Sequence, residues 1–303
     1  MHNVETNMAR LSKKLRVLLA SHLNKDLNLR FYPHKPKMCD LDVLALALAA
    51  EAMLITSQNL LYSKLRTDYP KLFARLPHRT NYNRRLRALS PYIDLAAVAA
   101  KDDMLGQQDT FIVDSMPMPV CHNARISWLK IMADDAQLAP ARGYSAATQG
   151  YIFGYKLHVL STPSGLIINH FITPANVHDV SQLPDLAYGQ MSHARLLADK
   201  GYTTRRGQLD LFEQDQVELI MPDKTNAKQP QNLWNKKYSI LRKRIETLFS
   251  QLTDQFSIKH NYAKTVCGYL SRIRLKITAL TLLQHINFVA GKPIGHIKHA
   301  LAT

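Results

Sequence analysis

From about residue 4 to residue 23, apolar positions return at three- and four-residue steps among Lys13, Lys14 and Arg16, which predicts an amphipathic basic helix. The proline-marked loop YPHKPKM (32–38) follows, and Asp40 is placed to N-cap an Ala/Leu-rich helix over 41–55. Shorter helical stretches at 57–68, 80–89 and 91–104 are set apart by Pro70, Pro77 and Pro91. The pattern changes at Thr110. TFIVD (110–114) is a short apolar run ending in an acid, and two β-type runs flank the turn residues STPSG (161–165), which predicts a hairpin. VHDVSQLPDLAY (177–188) reads as helix, and ARLLADKGY (194–202) is a second apolar run ending in an acid. A helix near 203–215, a strand at 217–222 and a polar loop come next. The helix SILRKRIETLFSQLTDQF (239–256) follows, and a last helix over about 265–290 is stopped by Gly291 and Pro293. The order of three strands, helix, strand, helix, strand, helix predicts an α/β fold: a mixed sheet flanked by helices over 106–303, preceded by an all-helical region over 1–105.

Charge narrows the partners. Thirty-nine Lys and Arg stand against 23 Asp and Glu, a net +16, which suggests a polyanion such as nucleic acid or an anionic membrane surface. The most apolar run (41–55) is too short to span a bilayer and carries Asp42 and Glu51, so no membrane partner is expected. The N-terminus lacks the apolar core of a secretory signal. Cys39, Cys121 and Cys267 are scattered and odd in number, which argues against a disulfide framework or structural zinc and fits a cytoplasmic location.

Candidate chemistry begins with Arg79, Arg84, Arg85 and Arg87, in or beside one short helix. They suit a helix laid against DNA, such as the second helix of a helix-turn-helix, and equally a solvated basic face. Asp114 and Asp199 end two apolar runs, and Glu246 lies roughly 60° beyond the edge of its helix's apolar stripe. Taken singly, each acid has an ordinary explanation: a turn or cap at the strand ends, and an i,i+4 partner of Arg242 for Glu246. Taken together, strand ends meeting at a sheet rim and a helix crossing the sheet would gather three carboxylates. Their mutual repulsion calls for divalent cations, and two magnesium ions held this way suit phosphodiester chemistry on nucleic acid.

The blocks VDSMPMPVCHNARI, GYIFGYKLHVL, FITPANVHD, ADKGY and RKRIETLFSQL resemble those of the DDE transposases of bacterial insertion sequences, insertion-sequence family 982 above all, over roughly 110–285. That resemblance implies a ribonuclease H-like catalytic core and Asp114, Asp199 and Glu246 as the catalytic, metal-binding acids, with Arg242 matching the arginine four residues before the glutamate. It implies Mg2+ as two ions, with Mn2+ able to substitute. The implied partners are double-stranded DNA, as the element's terminal inverted repeats and as target, and a second copy of the chain in a homodimer on DNA. A lysine often follows the family's glutamate by seven residues; here Thr253 stands there.

Other candidates carry two readings each. Tyr202 stacks on a displaced base or packs beside its strand, and Lys156, on one hairpin face with His158, contacts phosphate or lies at an exposed edge. His122 and Asn123 follow Asp114 closely enough to orient substrate, although Asn123 also suits loop capping; His178 and Asp179 resemble a family block, while Asp179 also suits a helix's first turn. Arg272, Arg274 and Lys276 read as a solvated helix face. The expected activity is that of a DNA transposase. A nuclease of the same fold that cuts without joining, or a non-catalytic DNA-binding repressor derived from a transposase, are the alternatives.

Overall fold

The structure, a computed structural model, describes residues 3–146, 149–202, 205–223 and 233–301. The chain forms two compact units, one of Met1–Met104 with Gln251–Thr303 and the other of Leu105–Ser250. Residues 251–303, which the sequence groups with the second half, thus belong with the N-terminal helices.

The first unit is helical: α1 (Val4–Leu18), α2 (Asp40–Ala52), α3 (Gln58–Asp68), α4 (Pro70–Arg75), α5 (Arg79–Ala88) and α6 (Ser90–Leu105). Asn3 caps α1 by accepting from the amides of Glu5 and Thr6, and Val4, Met8, Leu11 and Leu15 form its buried stripe. α2 is buried on nearly all sides, as its Ala/Leu composition requires. Asp40 is not its N-cap; Cys39 holds that position without a side-chain cap. The Asp40 carboxylate is fully buried and accepts from the amides of Leu29 and Arg30, the Tyr32 hydroxyl and Arg85 Nε (2.7 Å). α4, which the prolines concealed, begins at Pro70 because proline suits a helix's first turn, where its missing N–H has no partner to lose.

The second unit contains β1 (Thr110–Cys121), β2 (Ala141–Ser145), β3 (Gly150–Ser161), β4 (Ile167–Pro174), α7 (Leu183–Ala187), β5 (Arg195–Leu197), α8 (Arg205–Asp215) and β6 (Glu218–Ile220). The helix α9 (Lys236–Asp254) begins in this unit and the division falls within it; α10 (Val266–Val289) belongs to the first unit. The sheet order is β2-β3-β1-β5-β6, with β4 also pairing β3. β3 is antiparallel to both β1 and β4, whereas β1, β5 and β6 are parallel. β1 is far longer than the run TFIVD, and it contains Pro117 and Pro119. Beyond Ile112 it pairs only with β3, so those prolines lie along an unpaired edge where a missing N–H costs no ladder bond. β2 pairs the first half of β3 and is an addition to the expected three strands. At Gly154 a Cβ would lie 2.3 Å from Met118 O, so only glycine lets β3 approach β1 there. The expected polar loop after β6 lies largely outside the described residues. Among the described residues no helix is long and apolar enough to cross a membrane.

Candidate active site

Register places the two aspartates. Ile112 of β1 pairs with Leu197 of β5, and Asp114 and Asp199 each stand two residues further along. Neighbouring strands lie about 4.8 Å apart, so equal steps beyond one registered pair bring both acids to the same end of the parallel segment. Asp114 is not at the end of its strand. It marks the point where β5 stops alongside it and β1 runs on.

The environment of Asp114 is that of a crowded acid. Burial pushes its pKa up from 3.8 to about 6, the Ser115 amide and Arg242 oppose that rise, and the carboxylates of Asp199 and Asp179 add to it. The Ser115 amide donates to Oδ1 at 2.8 Å, and Arg242 Nη1 donates to Oδ2 at 3.0 Å. Asp199 is exposed and accepts from the Lys200 amide at 2.7 Å. The Tyr202 amide donates to the Asp199 carbonyl, which starts the short 3-10 turn Lys200–Tyr202.

α9 buries a stripe that includes Ile245 and Leu248, and two of its arginines reach the sheet and its turn. Arg242 reaches Asp114, and Arg244 Nε donates to Pro163 O in the β3–β4 turn at 3.3 Å. Glu246 is exposed and, among the described residues, makes no ion pair with Arg242. One turn of helix separates the two, about 6 Å of rise, so Glu246 stands beside the guanidinium that reaches Asp114. Among the described residues no three Asp, Glu, His or Cys side chains converge closely enough to hold a metal ion. The structure brings Asp114 and Asp199 together and leaves Glu246 outside the pair. As donors, the two aspartates fit a hard cation: the Asp199 carboxylate adds to the cost of charging Asp114, and Arg242 supplies the counter-charge there.

A second layer lies against the pair. Lys156 Nζ donates to Asp179 Oδ1 and to Val177 O, both at 3.0 Å. The ammonium is therefore engaged by Asp179 and is not held out as a phosphate contact. His158 is fully buried, shares a 2.8 Å hydrogen bond with Thr173 Oγ1, and has Nδ1 3.8 Å from Asp179 Oδ1. Burial drives its pKa down to about 4, against the pull of Asp179. Tyr202 is 1% exposed and so presents no face on which a base could stack. Among the described residues its hydroxyl is buried without a hydrogen-bond partner, and burial first, then Asp114, Asp179 and Asp199, raise its pKa well above the usual range.

Other expected residues lie elsewhere. His122 and Asn123 follow the far end of β1, on the order of 25 Å along the strand from Asp114 at 3.3 Å per residue, too far to orient substrate there. The Asn123 amide donates to Tyr151 O at 2.7 Å. His178 is exposed and precedes the 3-10 turn Asp179–Gln182. Arg85 is bound to Asp40, donates to Met38 O at 2.6 Å and stacks over Tyr32, so it is a structural arginine rather than a DNA contact. Arg79, Arg84 and Arg87 are exposed. Arg242, expected to touch DNA, is instead the partner of Asp114. His158, read from the sequence with Lys156 as a phosphate contact or an exposed edge, is instead a buried neighbour of Asp179.

A mixed sheet that sets paired acids at the end of its parallel strands, with a basic helix laid across them, defines an α/β protein built around a carboxylate site. Residues 106–266 match the family described as Transposase DDE domain, and the chain belongs to that family. It is 29% identical over 144 residues to the transposase for insertion sequence element IS1106 of Neisseria meningitidis serogroup B, which covers 45% of this chain and 49% of that protein. The chain thus spans about half the length of that curated relative. No solved structure matches.

Proposed function

We propose that this protein is a DNA transposase of the family 982 type that cleaves at the terminal inverted repeats of an insertion sequence and joins the freed 3′-hydroxyl ends to target DNA. The observation that carries it is the pairing of Asp114 with Asp199 at equal register beyond the end of β5. The antiparallel trio β1, β3 and β4 followed by parallel β5 and β6 supports a ribonuclease H-like core. Asp114, Asp199 and Glu246 would hold divalent cations, Mg2+ or in its place Mn2+. When bound, those cations polarise a phosphoryl oxygen and lower the pKa of a water. Asp114 and Asp199 contribute fixed negative charge where the cation binds, and the covered environment of Asp114 strengthens that attraction. Arg242 neutralises Asp114 in its metal-free form and, once released, lies where phosphate would approach. Arg79, Arg84 and Arg87 would hold duplex DNA through its phosphates, with a second copy of the chain engaging the other element end. Such a protein works on DNA in the cytoplasm.

The test uses an end-bearing duplex, a pre-nicked form of it and a second duplex as target, in Mg2+. Asp114→Asn, Asp199→Asn and Glu246→Gln should each lower cleavage by orders of magnitude while end binding persists. Cleavage at the normal rate in any of them removes that residue from the site. Failure of wild type to join the pre-nicked end, with cutting intact, makes the protein a nuclease; binding without either reaction makes it a repressor.

A further inference from the structure

The first unit contains a cleft of about 510 Å³, framed by α2, α3, α5 and α6 and by the chain entering α10. That volume lies within the usual range for a small-ligand site. Ala47, Ile55, Tyr82, Ile93 and Leu275 are among its apolar lining, all of them buried. Arg79, Arg87, Lys264 and Arg272 line it as well, and all four are cationic. Among the described lining residues Glu51 is the sole acid, and its charge is taken up by buried Lys276 at 2.5 Å. Two of the cations are held in place: Arg272 Nη1 donates to Thr56 O at 2.8 Å, and Arg79 to Asn59. Arg87 and Lys264 are exposed and have no ion-pair partner among the described residues. Ser90 Oγ, also in the lining, is buried and has no hydrogen-bond partner among the described residues, and exposed Tyr262 lines the cleft too.

We propose that this cleft binds one nucleotide unit, its base against Tyr262 and its phosphate on Arg87 and Lys264. A flat heterocycle can stack on exposed Tyr262, and an anion suits the uncompensated cations. A stacked duplex is convex and does not enter a recess of this size, whereas a single unstacked base does. The nucleotide is either one drawn from a DNA strand or a free mononucleotide. The first source rests on the transposase proposal; the second does not.

The experiment uses the full chain and three probes: a single-stranded octanucleotide with one photoreactive thymine, the same sequence as a duplex, and dAMP. Crosslinking of the octanucleotide to exposed Tyr262 is expected, with a loss of affinity of about tenfold or more in the Lys264→Glu variant and a steep salt dependence. Tight dAMP binding abolished by the same variant assigns the site to free nucleotide, and weak dAMP binding beside tight octanucleotide binding assigns it to a DNA strand. Crosslinks that map outside the cleft, or affinities untouched by Lys264→Glu, overturn the proposal even if duplex DNA is bound and the transposase proposal stands. Binding of none of the three probes overturns both.

Discussion

Asp114 and His158 carry proton affinities displaced in opposite directions across the same pH range. Asp114 rises from 3.8 to about 6, so the folded state gains stability when it is protonated and loses that stability as pH climbs through this window. His158 falls from 6.5 to about 4, so the folded state loses stability as pH drops through its window. Each shift amounts to something on the order of 3 kcal/mol, and between pH 4 and 6 the two oppose each other. In chelator-containing buffer, wild-type melting should therefore change little over that range from these two groups. His158→Gln should leave stability falling as pH rises, and Asp114→Asn should leave it rising as pH rises; parallel curves in all three proteins would refute the assignment. At Glu246, which makes no pair with Arg242, Glu246→Gln should shift metal-free stability by under about 0.5 kcal/mol while activity collapses. Arg242→Gln removes the counter-charge of Asp114, so Mg2+ should raise its melting temperature more than it raises that of wild type.

At the scale of elements, α2 and α10 are joined by a buried charge pair. Lys276 is 1% exposed and donates to Glu51 Oε2 at 2.5 Å and to Phe256 O at 2.6 Å. This overturns the solvated-face expectation for Lys276, while Arg274 does lie at the surface, paired with Asp94. Removing one partner of such a pair strands the other charge, whereas replacing both with apolar groups is often neutral. Lys276→Met should cost about 3–5 kcal/mol, and Glu51→Leu/Lys276→Met should recover most of it in urea denaturation. A double variant no more stable than the single one would show that the pair acts through packing alone.

At the scale of the molecule, the first unit is discontinuous in sequence, so the N-terminal third is not a module by itself. A fragment of residues 1–104 lacks α10, leaves Glu51 without Lys276 and uncovers much of α2. It should be unfolded by circular dichroism, whereas 1–104 joined by a linker to 251–303 should melt cooperatively. A folded, cooperatively melting 1–104 would show that α10 is dispensable to the core. The first unit holds 24 of the 39 Lys and Arg against 10 of the 23 acids, so the positive surplus lies almost wholly there, and DNA affinity of the whole chain should fall steeply with salt.

The sequence by itself determined the elements and the identities of the chemical groups. Periodicity located α1, α2, α9 and α10 within a few residues, the β3–β4 hairpin was legible from its turn, and Asp114 and Asp199 stood out as acids after apolar runs. These signals are local, carried by spacing and turn chemistry along one segment. Only the tertiary structure decided which groups meet. β1 hid behind Pro117 and Pro119 because proline is forbidden or tolerated in a strand according to whether a neighbour pairs that edge. Arg85 and Lys276 looked like surface cations and became buried, since burial of a charge depends on a partner distant in sequence, Asp40 for one and Glu51 for the other. Arg242 likewise met Asp114, not the glutamate one turn away, because electrostatic partners are chosen by distance in space and by desolvation, neither of which a one-dimensional pattern contains.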